Sequence, residues 1–197
     1  LIEENILDNK YSRHHYIAEK RLKQPDERVV RMEQDIYDHI KKSQLALKYT
    51  IQLFATHTSS YHAFQYFELI TGPPFYKYCS EFGDVYKSHI IKELIIGLHA
   101  ISELGIIHCD IKGDNILIDI NSRPFTPKYI DFGLAVITPR RDSNPNDAPY
   151  IYKHELQDSV TPRYDFSPGN KHYALQVEVD GEYRTPRTDI YALFVTL

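Results

Sequence analysis

The 197 residues, 42% hydrophobic and 25% charged, are enough for one domain with a buried core. A formal net charge of -4 argues against nucleic acid or an anionic membrane as the main partner, and no apolar run is long enough to span a bilayer. The two cysteines, Cys79 and Cys109, form no metal or disulfide pattern, and none of the ten histidines shows the His-Glu-x-x-His spacing. The expected setting is therefore reducing, intracellular and cytoplasmic, without a zinc-type centre.

No glycine precedes Gly72. Residues 15–22 carry Lys20 among the neighbouring cations Lys10, Arg13, Arg21 and Lys23, so a solvated basic strand end is one reading of that lysine. Gln24-Pro25-Asp26-Glu27 is a helix-start signal. In the helix after it, Val29, Ile36 and Ile40 mark one face, and Glu33 falls on that face. A carboxylate on a buried stripe requires a partner, because desolvating an unpaired charge is costly; Lys20 on the neighbouring strand would supply one.

Strands are expected over residues 49–56 and 61–69, joined by His57-Thr58-Ser59-Ser60. The second runs out through Phe67-Glu68-Leu69-Ile70-Thr71-Gly72-Pro73-Pro74, an edge strand ending at a Gly-Pro turn on the plainest reading. A long helix follows over about residues 85–104, with Ile91, Leu94, Ile95, Leu98 and Ile101 as its stripe and Gly105 as its stop. Gly97 within it predicts close packing against another helix.

The helix delivers the chain into His108-Cys109-Asp110-Ile111-Lys112-Gly113-Asp114-Asn115. Ile116-Leu117-Ile118 and Tyr129-Ile130 read as strands joined by a turn at Asn121-Ser122-Arg123-Pro124, and Asp131-Phe132-Gly133 closes the second. Asp110, Asn115 and Asp131 thus sit at the ends of a strand pair as hard oxygen ligands. Such ligands suit magnesium, which takes carboxylate, amide and phosphate oxygens and keeps part of its water.

These residues, in this order, resemble the catalytic loop and magnesium-binding turn of the eukaryotic-type protein kinases, the family that serves as the general template for phosphoryl transfer. The resemblance implies an α+β, two-lobed fold: a partial β-rich lobe over 1–70 and a partial helical lobe over 71–197, incomplete at both ends. By that likeness Lys20, in the pattern alanine, any residue, lysine, would contact the α- and β-phosphates of ATP. Glu33 would pair with it; Glu27 competes for the role but lies too close to Lys20 to be a helix-face residue. The backbone of Glu68 and Ile70 would hold the adenine, with Phe67 guarding the back of the pocket. Asp110 would accept or orient the substrate hydroxyl, Lys112 would steady the transferring group, and Asn115 and Asp131 would hold magnesium.

Lys112 two residues after Asp110 resembles the serine/threonine branch. Asp189 in Arg187-Thr188-Asp189 would brace the catalytic loop by accepting backbone hydrogen bonds. The family's glycine-rich loop has no counterpart before Gly72, so it is either upstream of Leu1 or absent, and the interval from Lys20 to Glu33 is short. Cys109 stands where arginine is usual, which implies a switch independent of phosphorylating the activation loop. Residues 134–169 have that loop's composition, and Thr161-Pro162-Arg163 to Pro168 resembles its substrate-docking end with one residue added. Gly169 replaces a glutamate and Phe194 a glycine.

The likeness therefore implies an ATP- and Mg2+-dependent serine/threonine kinase acting on protein substrates, its oligomeric state open. A pseudokinase that serves as a nucleotide-binding or scaffolding module is the alternative, favoured by the missing glycine-rich loop, Gly169 and Phe194. The docking segment argues against a third reading, a small-molecule kinase.

Overall fold

The computed structural model describes residues 2–3, 16–82, 86–137 and 186–197. The activation-segment and docking-segment expectations beyond Ile137, Gly169, and the expected starts at His15 and Val85 lie outside the described residues. Among those described, a sheet comes first and helices follow, a mixed α+β arrangement.

The sheet contains β1 (Ile2–Glu3), β2 (Tyr16–Lys23), β3 (Leu53–Thr58) and β4 (His62–Glu68), all antiparallel, in the order β1-β2-β4-β3. Between β2 and β4 the register sets Lys20 opposite Gln65 and Ala18 opposite Phe67. The alternation along β4 buries Ala63, Gln65 and Phe67 on one face, as the two-residue period of a half-covered strand requires. That face receives α1 (Glu27–Ile40).

Asp26 starts α1 as its N-cap, accepting from the Arg28 N–H at 2.9 Å. Glu27 in the first turn and His39 in the last suit the helix dipole. Its buried stripe is Val30, Glu33, Ile36, Tyr37 and Ile40. The expected Val29 is instead 39% exposed: Val30, seven residues before Tyr37 and so on nearly the same azimuth, carries the apolar weight of the first turn.

A short helix, α2 (Gln44–Lys48), stands directly before the stretch 49–56 expected as strand. Ser43 caps it by accepting from the Ala46 N–H at 3.2 Å, and Tyr49 ends it. The Tyr49 carbonyl then accepts from Tyr129 N–H, and Ile51 N–H donates to the Tyr129 carbonyl. Those backbone groups are therefore paired with a later strand, and β3 begins only at Leu53.

After β4 come α3 (Phe75–Phe82) and α4 (Lys87–Glu103). Gly105, at φ 74°, ends α4 in the left-handed conformation that glycine adopts without strain. The stripe of α4 is rotated from the expected one: Ile90, Leu94, Gly97, Leu98, Ala100 and Ile101 are buried, while Ile95 is 54% exposed. Gly97 packs where α2 ends, against Tyr49, and against Tyr129 of the later strand pair. A Cβ there would lie 2.7 Å from Tyr49 Cβ and 3.2 Å from Tyr129 Cε2.

Past α4, β5 (Ile106–Ile107) pairs with β8 (Val136–Ile137), and β6 (Ile116–Asp119) pairs with β7 (Thr126–Tyr129), so the second strand begins earlier than expected and leaves Ile130 outside it. Asp119 organises the turn between β6 and β7 by accepting from Asn121 N–H at its side chain and from Ser122 Oγ at its carbonyl. One hydrophobic core runs from Ile36 and Tyr37 of α1, through Leu94 and Ile101 of α4, to Ala192 and Leu193 of α5 (Pro186–Thr196).

Candidate active site

The predicted residues form two clusters, one around Lys20 and the other in the loop after β5. In the first, Lys20 Nζ donates to Glu33 Oε1 at 3.1 Å and to Asp131 Oδ1 at 2.9 Å. Lys20 comes from β2, Glu33 from the inward face of α1, and Asp131 from the turn after β7. Asp131 stands at φ 60°, a region that Asp tolerates better than most side chains. Burial works against the Lys20 ammonium, but Glu33 and Asp131 more than offset it and hold its pKa above the ordinary lysine value. Burial likewise acts to raise Asp131, yet the Lys20 hydrogen bond and charge outweigh it and keep that carboxyl below the ordinary aspartate value.

The second cluster is the loop after β5. Asp110 Oδ2 accepts from Lys112 Nζ at 2.8 Å and from Asn115 Nδ2 at 2.7 Å, and the same amide nitrogen reaches the Asp110 carbonyl at 2.9 Å. Residues Gly113–Asn115 form one turn of 3-10 helix, which swings Asn115 back towards Asp110. With its nitrogen committed, the Asn115 amide presents its oxygen away from Asp110.

Backbone and rings join the clusters. Ile130 N–H donates to the Asn115 carbonyl at 3.0 Å. The buried His108 lies with Nε2 3.0 Å from the Ile130 carbonyl and Nδ1 3.3 Å from Asp110 N–H, partners that together require the Nε2–H tautomer. Its ring packs on Phe132 at 4.6 Å between centroids; Phe132 meets Tyr37 at 5.3 Å, and Tyr37 meets Phe67 at 5.5 Å, both edge-on. This column ties α1 and β4 to the loop that carries Asp110. Burial, then the nearby Glu33 and Asp131 charges, push the Tyr37 hydroxyl well above the ordinary tyrosine pKa, while the Phe132 main chain hydrogen-bonds it.

Asp189 behaves as the sequence implied. From the first turn of α5 it accepts from His108 N–H at 2.6 Å and Cys109 N–H at 2.9 Å. Cys109 is thereby held at φ 68°, a conformation costly for a residue with a Cβ.

Glu68 and Ile70 lie apart from both clusters, at the end of β4 and just past it. The Glu68 N–H is committed to the Gln52 carbonyl at 3.0 Å, and its carboxylate pairs with Lys128 Nζ at 2.5 Å. The segment beyond is pressed onto β6: Ile118 N–H donates to the Pro73 carbonyl, and a Cβ on Gly72 would fall 1.6 Å from the Ile118 carbonyl oxygen. Only glycine fits there.

Gln65 and Tyr37 were not anticipated. Gln65 is fully buried and donates from Nε2 to Glu33 Oε2 at 3.0 Å. The period of β4, which sets Gln65 in phase with Ala63 and Phe67, was the signal that could have found it. Tyr37 lies four residues after Glu33, one turn along the same helix face.

Among the described residues no group of three or more His, Cys, Asp or Glu could hold a metal by itself, and no helix is long and apolar enough to cross a membrane. Asp131 and the Asn115 amide oxygen nevertheless fit magnesium, which binds through one or two such protein oxygens together with substrate phosphate.

The model for the protein kinase domain matches residues 8–168. The chain is 33% identical over 101 residues to the serine/threonine-protein kinase PKH1 of Saccharomyces cerevisiae, covering 51% of this chain and 12% of that protein. It is 26% identical over 107 residues to the probable serine/threonine-protein kinase 2 of Plasmodium falciparum, covering 52% and 21%. A shorter stretch of 44 residues is 46% identical to the dual specificity protein kinase YAK1 homolog of Arabidopsis thaliana, covering 22% and 5%. The matched stretches thus span no more than about a fifth of those relatives' lengths. With the lysine held between two carboxylates, the loop aspartate bonded to Lys112 and Asn115, and the match running over most of the sequence, the chain belongs to the eukaryotic-type protein kinase domain family.

Proposed function

We propose that the protein transfers the γ-phosphate of ATP to serine or threonine hydroxyls of protein substrates, with Mg2+. The observation that carries this reading is the convergence of Lys20, Glu33 and Asp131, drawn from three separate elements, within 3.1 Å of the lysine nitrogen. An ammonium held between two carboxylates is kept charged and fixed in place, where it would receive the phosphates of a nucleotide. Asp131 and Asn115 would hold magnesium, which supplies charge neutralisation on the phosphate oxygens when bound.

Asp110 is the group that accepts or orients the substrate hydroxyl proton. Lys112, 2.8 Å from it, stabilises charge on the transferring group. The Glu68 carbonyl and the Ile70 N–H take the adenine edge. We place the division between the sheet lobe, 1–70, and the helical lobe, 71–197, at Ile70.

The dual specificity named for the Arabidopsis relative makes tyrosine transfer an outcome to be measured alongside serine and threonine. A nucleotide-binding pseudokinase is the second reading, favoured by Phe194 where the family usually has glycine. The test is a thermal-shift titration with ATP, with and without magnesium, followed by labelled phosphate transfer. Metal-dependent stabilisation with transfer supports the kinase; stabilisation without transfer supports the pseudokinase.

A further inference from the structure

Gln65 is a polar residue on the inward face of β4, where the sheet and α1 meet. Its neighbours along the inward face of β4 are Ala63 and Phe67. Its side chain is fully buried, its Nε2 donates to Glu33 Oε2 at 3.0 Å, and its Oε1 is buried with no hydrogen-bond partner. An orphaned carbonyl oxygen is unfavourable. It also fixes the amide's orientation, because the flipped amide would set that oxygen against the Glu33 carboxylate.

Glu33 is thus gripped at both oxygens, by Lys20 at Oε1 and by Gln65 at Oε2, with Lys20 a longer 3.4 Å from Oε2. The next residue on α1 is tied to the sheet in the same way: Thr56 Oγ1 donates to Gln34 Oε1. Lys20, Gln65 and Thr56 lie in one register row across β2, β4 and β3. One row of the sheet therefore holds two consecutive residues of α1 through polar bonds.

We propose that Gln65 is a positioning residue for phosphoryl transfer: its amide fixes the Glu33 carboxylate, and through it α1, where Lys20 is paired. The inference rests on the kinase reading above. It makes the inward placement of α1 a property of the sheet itself, in a chain whose Cys109 offers no cation to a phosphate on the loop after Asp131.

The test compares the full chain with Gln65→Met, Gln65→Glu and the exchange Glu33→Gln/Gln65→Glu. Two readouts are taken: steady-state kinetics in ATP and in protein substrate, and the rate at which a water-soluble amine-acylating reagent modifies Lys20 without nucleotide, mapped by mass spectrometry. Gln65→Met removes the donor and the orphaned oxygen together, so the melting temperature should hold within a few degrees. Its kcat/KM for ATP should fall about tenfold, mainly through KM for ATP, as expected for one lost hydrogen bond to a charged group. KM for the protein substrate should not move. Lys20 should acylate several-fold faster once Glu33 is loosened.

Gln65→Glu sets two carboxylates against each other and should be worse. The exchange restores an amide-carboxylate pair and should recover part of the loss. Parent-like acylation and KM for ATP in Gln65→Met would overturn the proposal. A parent chain that transfers no phosphate would overturn the kinase reading, and the acylation rates would still decide whether Gln65 holds the Lys20 pairing.

Discussion

Replacing Asp189 should release the loop that carries Asp110. The Asp189 side chain is 3% exposed and receives two backbone N–H groups, from His108 at 2.6 Å and Cys109 at 2.9 Å. A hydrogen bond to a charged acceptor contributes about 1.5–3 kcal/mol, and a buried donor left unpaired costs about 1–3 kcal/mol. The same pair holds Cys109 in the left-handed region, where an L-residue costs about 1–2 kcal/mol, so loss of the brace lets part of that strain relax and lowers the net penalty. For Asp189→Ala we expect a loss of about 3–5 kcal/mol.

At roughly 2–4 °C per kcal/mol for a chain of this size, the melting temperature should fall by about 10 °C. Asp189→Asn keeps one acceptor but turns an N–H donor against the other and should lose about half as much. Cys109→Gly should be more favourable in the parent than when added to Asp189→Ala, because the glycine removes a strain that only the brace sustains. Urea and thermal melts of the parent and the four variants give the comparison. A loss below about 1 kcal/mol in Asp189→Ala would refute the claim that this carboxylate holds the loop.

Other perturbations probe separate parts of the account. Gly72→Ala drives a Cβ into the Ile118 backbone and should separate the segment after β4 from β6, weakening nucleotide binding together with stability; unchanged ATP affinity would contradict the close approach. Gly97→Ala gains about 1 kcal/mol of helix propensity but forces Tyr49 and Tyr129 apart, so the melt should show a net loss of about 1–2 kcal/mol.

The Lys20 cluster makes a pH prediction. Lys20 is raised in the folded state, so its contribution is fully present below 10.5 and is lost as pH rises through the higher folded value. Asp131 is lowered, so its contribution is present above 3.8 and is lost as pH falls through the lower folded value. The stability gap between the parent and Lys20→Met should therefore be flat across neutral pH and shrink at both extremes; a gap that changes between pH 6 and 8 would contradict it.

Much of this site was readable from residues alone because its chemistry is carried by short, local patterns. Asp110, Lys112 and Asn115 fall on one loop of a few residues, and the Asp131 turn follows at the end of a clear strand pair. The stripe of α1 displayed Glu33 among apolar neighbours, which demanded a cation, and Lys20 lies 3.1 Å away. What stayed hidden depends on packing. Residues 49–51 have strand-like side chains, yet a serine cap and a backbone pairing with Tyr129 decide their conformation. Ile95 matched the helical period of α4 as well as Ile90 did, and only the placement of the neighbouring elements separates buried from exposed. Gln65 looked like an ordinary polar strand residue until α1 was laid over it.

The most direct test of the central claim is transfer of labelled γ-phosphate from ATP to a mixed protein substrate by the full chain, run with magnesium, with chelator, and with Asp110→Ala and Asp131→Ala. The account predicts transfer to serine and threonine that the chelator abolishes. Asp131→Ala should lose magnesium-dependent ATP binding, and Asp110→Ala should keep that binding while losing transfer. Transfer by Asp110→Ala at the parent's rate, or a parent that binds Mg2+-ATP and transfers nothing, would contradict it.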